Sequence, residues 1–181
     1  MERAIRLFHR RWSVPIVAVL HRDGPLRFNE LASRIAASRD TLSETLADLV
    51  SNGVVHHRWR EGTATYGLSA VGKLLGPVTI EMTAAVTGAG LVQVATKKWP
   101  MLVLAAVGNG EPRYGEIVVA LPGITTRSLS MALKDLELEE LVVRTSIVGY
   151  PRTTAYRATE RAQQLLPTLL RLIEVTERLP G

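Results

Sequence analysis

Two stretches of this chain repeat each other at an almost fixed offset. Gly24-Pro-Leu-Arg-Phe-Asn-Glu-Leu31 is echoed 86 residues later by Gly110-Glu-Pro-Arg-Tyr-Gly-Glu-Ile117. Thr41-Leu-Ser-Glu-Thr-Leu46 returns 87 residues later as Ser128-Leu-Ser-Met-Ala-Leu133, and Arg11-Trp12 returns at the same 87-residue spacing as Lys98-Trp99. A small change in loop length accounts for the one-residue difference. Apolar, turn and polar residues that match at one spacing over half a chain mark a repeated supersecondary unit. Each copy must then fold within roughly 90 residues, near the lower end of ordinary domain sizes. The expected division is residues 1–88 and 89–181, with Gly88 and Gly90 at the seam.

Hydrophobic spacing gives the order of elements within a copy. Ile5, Phe8 and Trp12 recur at helical intervals, predicting an amphipathic first helix over residues 2–12. Ser13 then Pro15 read as the cap and first turn of a second, buried helix. Asp23-Gly-Pro is a turn, and Asn29 is expected to cap a short helix carrying Leu31 and Ile35. Leu42, Leu46, Leu49 and Val50 mark a further helix, stopped at Asn52-Gly53. A strand from Val54-Val55, a turn at Glu61-Gly62 and a return over residues 64–68 predict a hairpin. Ser69 then caps a helix holding Val71, Leu74, Leu75 and Val78. The second copy repeats this order. Trp99 closes a helix, residues 100–107 form a buried one, and Asn109-Gly110 turns. Residues 114–121 form the short helix, and Leu129, Leu133 and Leu136 mark the next. A hairpin folds around Gly149-Tyr-Pro, and a C-terminal helix holds Leu165, Leu166, Leu169, Leu170 and Ile173. The expected class is mainly α with small β hairpins (α+β), as tandem winged helix-turn-helix domains.

Composition narrows the function. A formal charge of +5 and a pI near 10.0 point to an anionic partner, nucleic acid first and acidic membrane second. Cysteine is absent, which excludes disulfides, thiol catalysis, zinc–cysteine sites and thiol redox sensing. Arg3, Arg6, Arg10 and Arg11 interrupt any signal-peptide pattern, and the apolar runs 14–20, 84–92 and 101–107 are too short to span a bilayer. A cytoplasmic protein without a membrane partner is expected. No His-Glu-x-x-His, phosphate-binding Gly-rich loop with Lys or Gly-x-Ser-x-Gly is present, so neither an enzyme nor a cofactor is expected. His56-His57 are adjacent on a strand and point to opposite faces, which argues against a metal pair.

The ordered motifs resemble the HxlR family of bacterial winged-helix transcription regulators. In the second copy the resemblance rests on Lys98-Trp99, Arg113-Tyr114, Glu116-Ile117, Leu121-Pro-Gly-Ile-Thr-Thr-Arg-Ser-Leu129, Val142-Val-Arg-Thr145 and Tyr156-Arg-Ala-Thr159. In the first copy it rests on Gly24 through Leu31, Thr41-Leu42, Leu46, Leu49, Tyr66-Gly-Leu-Ser69 and Gly72. It implies a DNA-binding transcription regulator. Usual members are single units that pair through terminal helices; here two units are fused. Residues 70–99 join them, so the copies are expected to pack as an intramolecular pseudo-dimer, with a further dimer of whole chains compatible.

A helix-turn-helix reads bases from the N-terminal part of its second helix. The second copy offers Thr125, Thr126, Arg127, Ser128, Ser130, Met131 and Lys134 there, with Arg127 the candidate for a bidentate contact to guanine. In the first copy Arg39, Thr41 and Ser43 are candidates, but Asp40, Glu44 and Ala47 stand where Arg127, Met131 and Lys134 do. Carboxylates forfeit the electrostatic attraction that dominates DNA affinity, so the first copy is expected to read weakly. Arg58 and Arg60 on one wing, and Tyr150 and Arg152 on the other, are candidate groove contacts. Trp59 reads equally as a wing contact or as packing beneath its hairpin. Trp12 and Trp99 read first as core or inter-copy packing and second as ligand-binding residues. The competing function is a winged helix repurposed for a small molecule held between the copies, or for a protein docked on the acidic helix.

Overall fold

The computed structural model describes residues 1–8, 10–60, 62–108, 110–147 and 153–179, without the side chains of Arg60, Ile147 and Thr153. The first copy comprises α1 (Glu2–Phe8), α2 (Ser13–Asp23), α3 (Phe28–Arg34), α4 (Arg39–Ser51), β1 (Val55–Arg60), β2 (Thr63–Leu68) and α5 (Ala70–Gly88). The second comprises α6 (Val92–Ala95), α7 (Pro100–Val107), α8 (Tyr114–Ala120), α9 (Thr126–Leu138), β3 (Val142–Ile147), β4 (Thr153–Ala158), α10 (Glu160–Gln163) and α11 (Leu166–Glu177).

Each hairpin is antiparallel, with Val55 opposite Leu68 and Val142 opposite Ala158. Each is also bridged to the turn before the short helix, Leu26 to Tyr66 and Arg113 to Ala155. The bridges hold wing and helix-turn-helix in one frame. The helical leucines do what their spacing predicts: Leu42, Leu46 and Leu49 on α4, and Leu129, Leu133 and Leu136 on α9, are each at most 1% exposed. Side chains from both copies join one continuous apolar core.

The copies pack on one another. α5 lies against α2 on its own side and against α11 across the seam, and α1 also rests on α11. Polar contacts reinforce the packing: Arg171 pairs with Glu81, and Arg3 donates to the carbonyl of Leu179. The Ala4 amide donates to Glu177 at 2.9 Å. The terminal helices thus pair within one chain.

Several sequence expectations need correction. The first helix ends at Phe8 instead of reaching Trp12, which lies in the turn before α2. Ser13 is the first helical residue of α2, not its cap; it is 1% exposed and its hydroxyl has no hydrogen-bond partner among the described residues. Arg27 occupies the cap position of α3, where Glu30 accepts from the Arg27 amide at 2.7 Å, and Asn29 sits inside the first turn. Trp99 closes no helix: α6 stops at Ala95, and Trp99 precedes Pro100 at the start of α7. The expected C-terminal helix is α11, with Leu165 at its cap position, and a short further helix, α10, precedes it. The expected turns at Glu61, at Asn109 and around Gly149-Tyr-Pro involve residues outside those described.

Candidate nucleic-acid interface

The reading helix of the second copy is assembled from its cap inward. Thr125 accepts the Ser128 amide at 3.1 Å and donates its hydroxyl proton to the Ser128 hydroxyl oxygen at 2.9 Å, so both hydroxyls serve the helix start. Leu129, Ala132, Leu133 and Leu136 face the core. That leaves Thr126, Arg127, Ser130, Met131 and Lys134 exposed on the outer face, Met131 at 58%. The short helix α8 braces this one: the Tyr114 hydroxyl donates to the Thr126 carbonyl at 2.7 Å and lies 3.1 Å from the Ser130 hydroxyl. Arg127 and Lys134 have no ion-pair or hydrogen-bond partner among the described residues. Two unneutralised cations on the outward face of a capped helix form an anion-attracting surface.

The first copy has the same frame with different charge. Ser38 caps α4 by accepting the Thr41 amide at 3.2 Å, and its hydroxyl donates to that of Thr41 at 2.8 Å. Thr41 is therefore engaged, while Ser43 is exposed. Arg39 lies over the Phe28 ring, 4.9 Å from its centroid, and donates to Asn29 at 2.9 Å. It is held against α3. Asp40 is exposed at the position of Arg127.

One feature escaped the sequence reading. Arg10, from the turn before α2, donates to Glu44 at 2.7 Å and pairs with Asp48 on α4. In the second copy, 87 residues on, Lys97 pairs with Asp135 on α9 at 2.7 Å. Asp48 above all, through its hydrogen bond, raises the Arg10 guanidinium further above its ordinary range, with Glu44 adding to the effect against the opposing effect of burial. Each reading helix is thus tethered by a cation from just before its copy's buried helix. The only sequence signal was that cation and acid recur together at the repeat offset.

On the first wing, Arg58 is exposed, and Trp59 is 72% exposed, so it does not pack beneath its hairpin. On the same strand the exposed His57 stacks on its cross-strand partner Tyr66, with ring centroids 4.4 Å apart. Burial, then the nearby Arg58 and Lys73, lowers His56 below its ordinary value, which disfavours a charge on this side chain. The Arg60 side chain, Tyr150 and Arg152 lie outside the described residues. Trp12 and Trp99 are half-buried against the core beneath Arg11 and Lys98, each cation 4.9 Å from the ring centroid. Trp12 lines a cavity between the copies; Trp99 is not among its lining residues. Among the described residues no metal-binding cluster occurs and no helix is long and apolar enough to cross a membrane.

The chain is similar to the uncharacterized HTH-type transcriptional regulator YvaP of Bacillus subtilis, at 38% identity over 78 residues, covering 43% of this chain and 72% of that one. It is similar to the uncharacterized HTH-type regulator sll1512 of Synechocystis at 31% identity over 80 residues, covering 44% of this chain and 59% of that one. Among solved structures, the redox regulator HypR in its oxidized form is 27% identical with a TM-score of 0.44, covering 56% of this chain and 97% of that one. The HxlR-like helix-turn-helix family matches twice, over residues 7–89 and 94–179. With both halves matched in series, the chain belongs to the HxlR-like helix-turn-helix family, as a tandem pair of its winged-helix DNA-binding units in one polypeptide.

Proposed function

We propose that the protein is a cytoplasmic transcription regulator that reads duplex DNA sequence-specifically, mainly through α9, with the copies divided after Gly88. The observation that carries this reading is the charge contrast on two otherwise matched helices. α9 presents Arg127 and Lys134 without partners, whereas α4 presents Asp40 and a Glu44 already bound by Arg10. In this reading Arg127 contacts a base edge, Thr126, Ser130 and Met131 border it, and Lys134 meets phosphate. Thr125 and Ser128 present the helix N-terminus to a phosphate. Arg58, Arg60, Tyr150 and Arg152 act from the wings, while Arg39, Thr41 and Ser43 contribute backbone contacts at most. The competing function, a winged helix repurposed for a small molecule or protein partner with weak or no DNA binding, gives no role to Arg127 and Lys134, unpaired among the described residues on the outer face of α9.

A salt titration of duplex binding by fluorescence anisotropy tests the proposal. About five phosphate contacts predict a loss of roughly 500-fold in affinity between 50 and 200 mM salt. Absence of duplex binding at the low-salt end, or a flat titration, would overturn it.

Redox chemistry should act on this surface only through methionine. Because the chain has no cysteine, dithiothreitol should leave duplex affinity unchanged. Peroxide should weaken binding slowly by oxidising the exposed Met131 to a polar sulfoxide. Mass spectrometry of the oxidised protein locates the site, and recovery by dithiothreitol would contradict the reading.

A further inference from the structure

A cavity of about 220 Å³ lies where the two copies meet. Its apolar walls include Trp12, Met82, Val86, Met101, Leu169 and Leu172, drawn from both halves of the chain. Its lining also contains Arg10, Arg11, Lys97 and Lys98, and no carboxylate. Two lining hydroxyls are already committed, Thr83 to the Thr79 carbonyl and Thr96 to the Val92 carbonyl, each at under 3 Å. What the cavity offers a ligand is an apolar body site, the Thr87 hydroxyl and two cations, Arg11 and Lys98, with no ion pair among the described residues.

We propose that this cavity binds a compact aromatic carboxylate and that its occupancy is transmitted to both reading helices through Arg10 and Lys97. Size sets the first half of the assignment. About 150 Å³ of apolar space suffices for benzene, and drug-sized pockets begin near 300 Å³, so one or two fused rings fit. Charge sets the second half. Arg11 and Lys98 lie over tryptophan rings and make no ion pair among the described residues, leaving them open to a carboxylate. The neighbouring Arg10 and Lys97 are the cations that tether α4 and α9 through Asp48 and Asp135. A ligand carboxylate competes with those aspartates for the same charges, so binding in the cavity loosens the tethers. The linkage is reciprocal: whatever weakens a tether strengthens the ligand. The site stands independently of the duplex-reading proposal; only its effect on DNA rests on that proposal.

Calorimetry of the whole chain without DNA, with 2-naphthoate and its neutral counterpart 2-naphthamide, tests the site. The carboxylate should bind about tenfold more tightly than the amide. The double change Arg11→Met and Lys98→Met, which removes the two lining cations that have no ion pair among the described residues, should cut that preference severalfold, read as the ratio of the two affinities within the variant; an unchanged ratio would overturn the carboxylate assignment. Thr83→Phe, which fills the cavity, should abolish both, with circular dichroism confirming the fold. Equal affinity for the two ligands, binding of neither, or undiminished binding in folded Thr83→Phe would overturn the site. Asp135→Asn, which frees Lys97, should tighten naphthoate about fivefold, and unchanged affinity would overturn the coupling. Naphthoate should also shift duplex affinity by a similar factor. A protein that binds naphthoate as described yet binds no duplex would overturn the DNA reading and leave the site intact.

Discussion

Arg127→Ala is expected to weaken binding to a selected duplex by about 1–3 kcal/mol, roughly fivefold to 150-fold, and to relax selection at one base position. The expectation rests on a side chain that is exposed and has no partner among the described residues, so its removal costs the fold little. Stability should stay within about 0.5 kcal/mol of the parent, which separates lost contact from lost structure. The matching change in the first copy, Asp40→Ala, removes a negative charge from a surface facing phosphate and should leave affinity unchanged or slightly raised. Anisotropy titrations with one duplex compare the two. Equal losses would mean that both copies read DNA and that the charge contrast between α4 and α9 has no functional weight.

Leu169→Ala is expected to destabilise the whole chain, by about 2–5 kcal/mol. Leu169 is 3% exposed on α11, which packs on α5, α7 and α1, so the void falls at the junction of both copies. Urea unfolding should shift its midpoint with little change in slope. The decisive detail is cooperativity. With Trp59 replaced by Phe in both variants, and Trp12 replaced by Phe in one and Trp99 in the other, the single remaining indole reports on one copy at a time. Both should report the same transition. Two separated transitions, with only the second copy moved by Leu169→Ala, would show the halves to be independent domains.

The repeat was legible because the core repeats: leucines at the same offset fall on the same faces of α4 and α9, and the structure buries them as their spacing requires. Helix starts were harder. Ser13 and Asn29 have the chemistry of caps, yet tertiary packing draws Ser13 inside, and the Glu30 carboxylate supplies the capping contact ahead of Asn29. Helix stops were partly legible. Gly53 ends α4 with φ of 70°, as its residue type announces. The same bend after α9 is made by Glu140 at φ of 55°, a residue that signals nothing of the kind. At the reading surface the sequence located Arg127 and the acidic face of α4, because position on a helix follows from spacing. It could not show that Arg10 and Lys97 reach those helices, since that contact spans 38 residues and depends on how α2 and α7 are set in the fold.

Pairing through α5 and α11 in one polypeptide also has a genetic consequence. When two identical subunits pair, one codon sets both readers, and a change that benefits one is imposed on the other. Here Arg127 and Asp40 have separate codons, so the two readers drift apart freely while the shared tether chemistry is retained. Unlike halves assembled from separate genes would need balanced expression and a means of rejecting self-pairing. Covalent fusion fixes their ratio at one to one at every expression level, and no partner choice remains to be made.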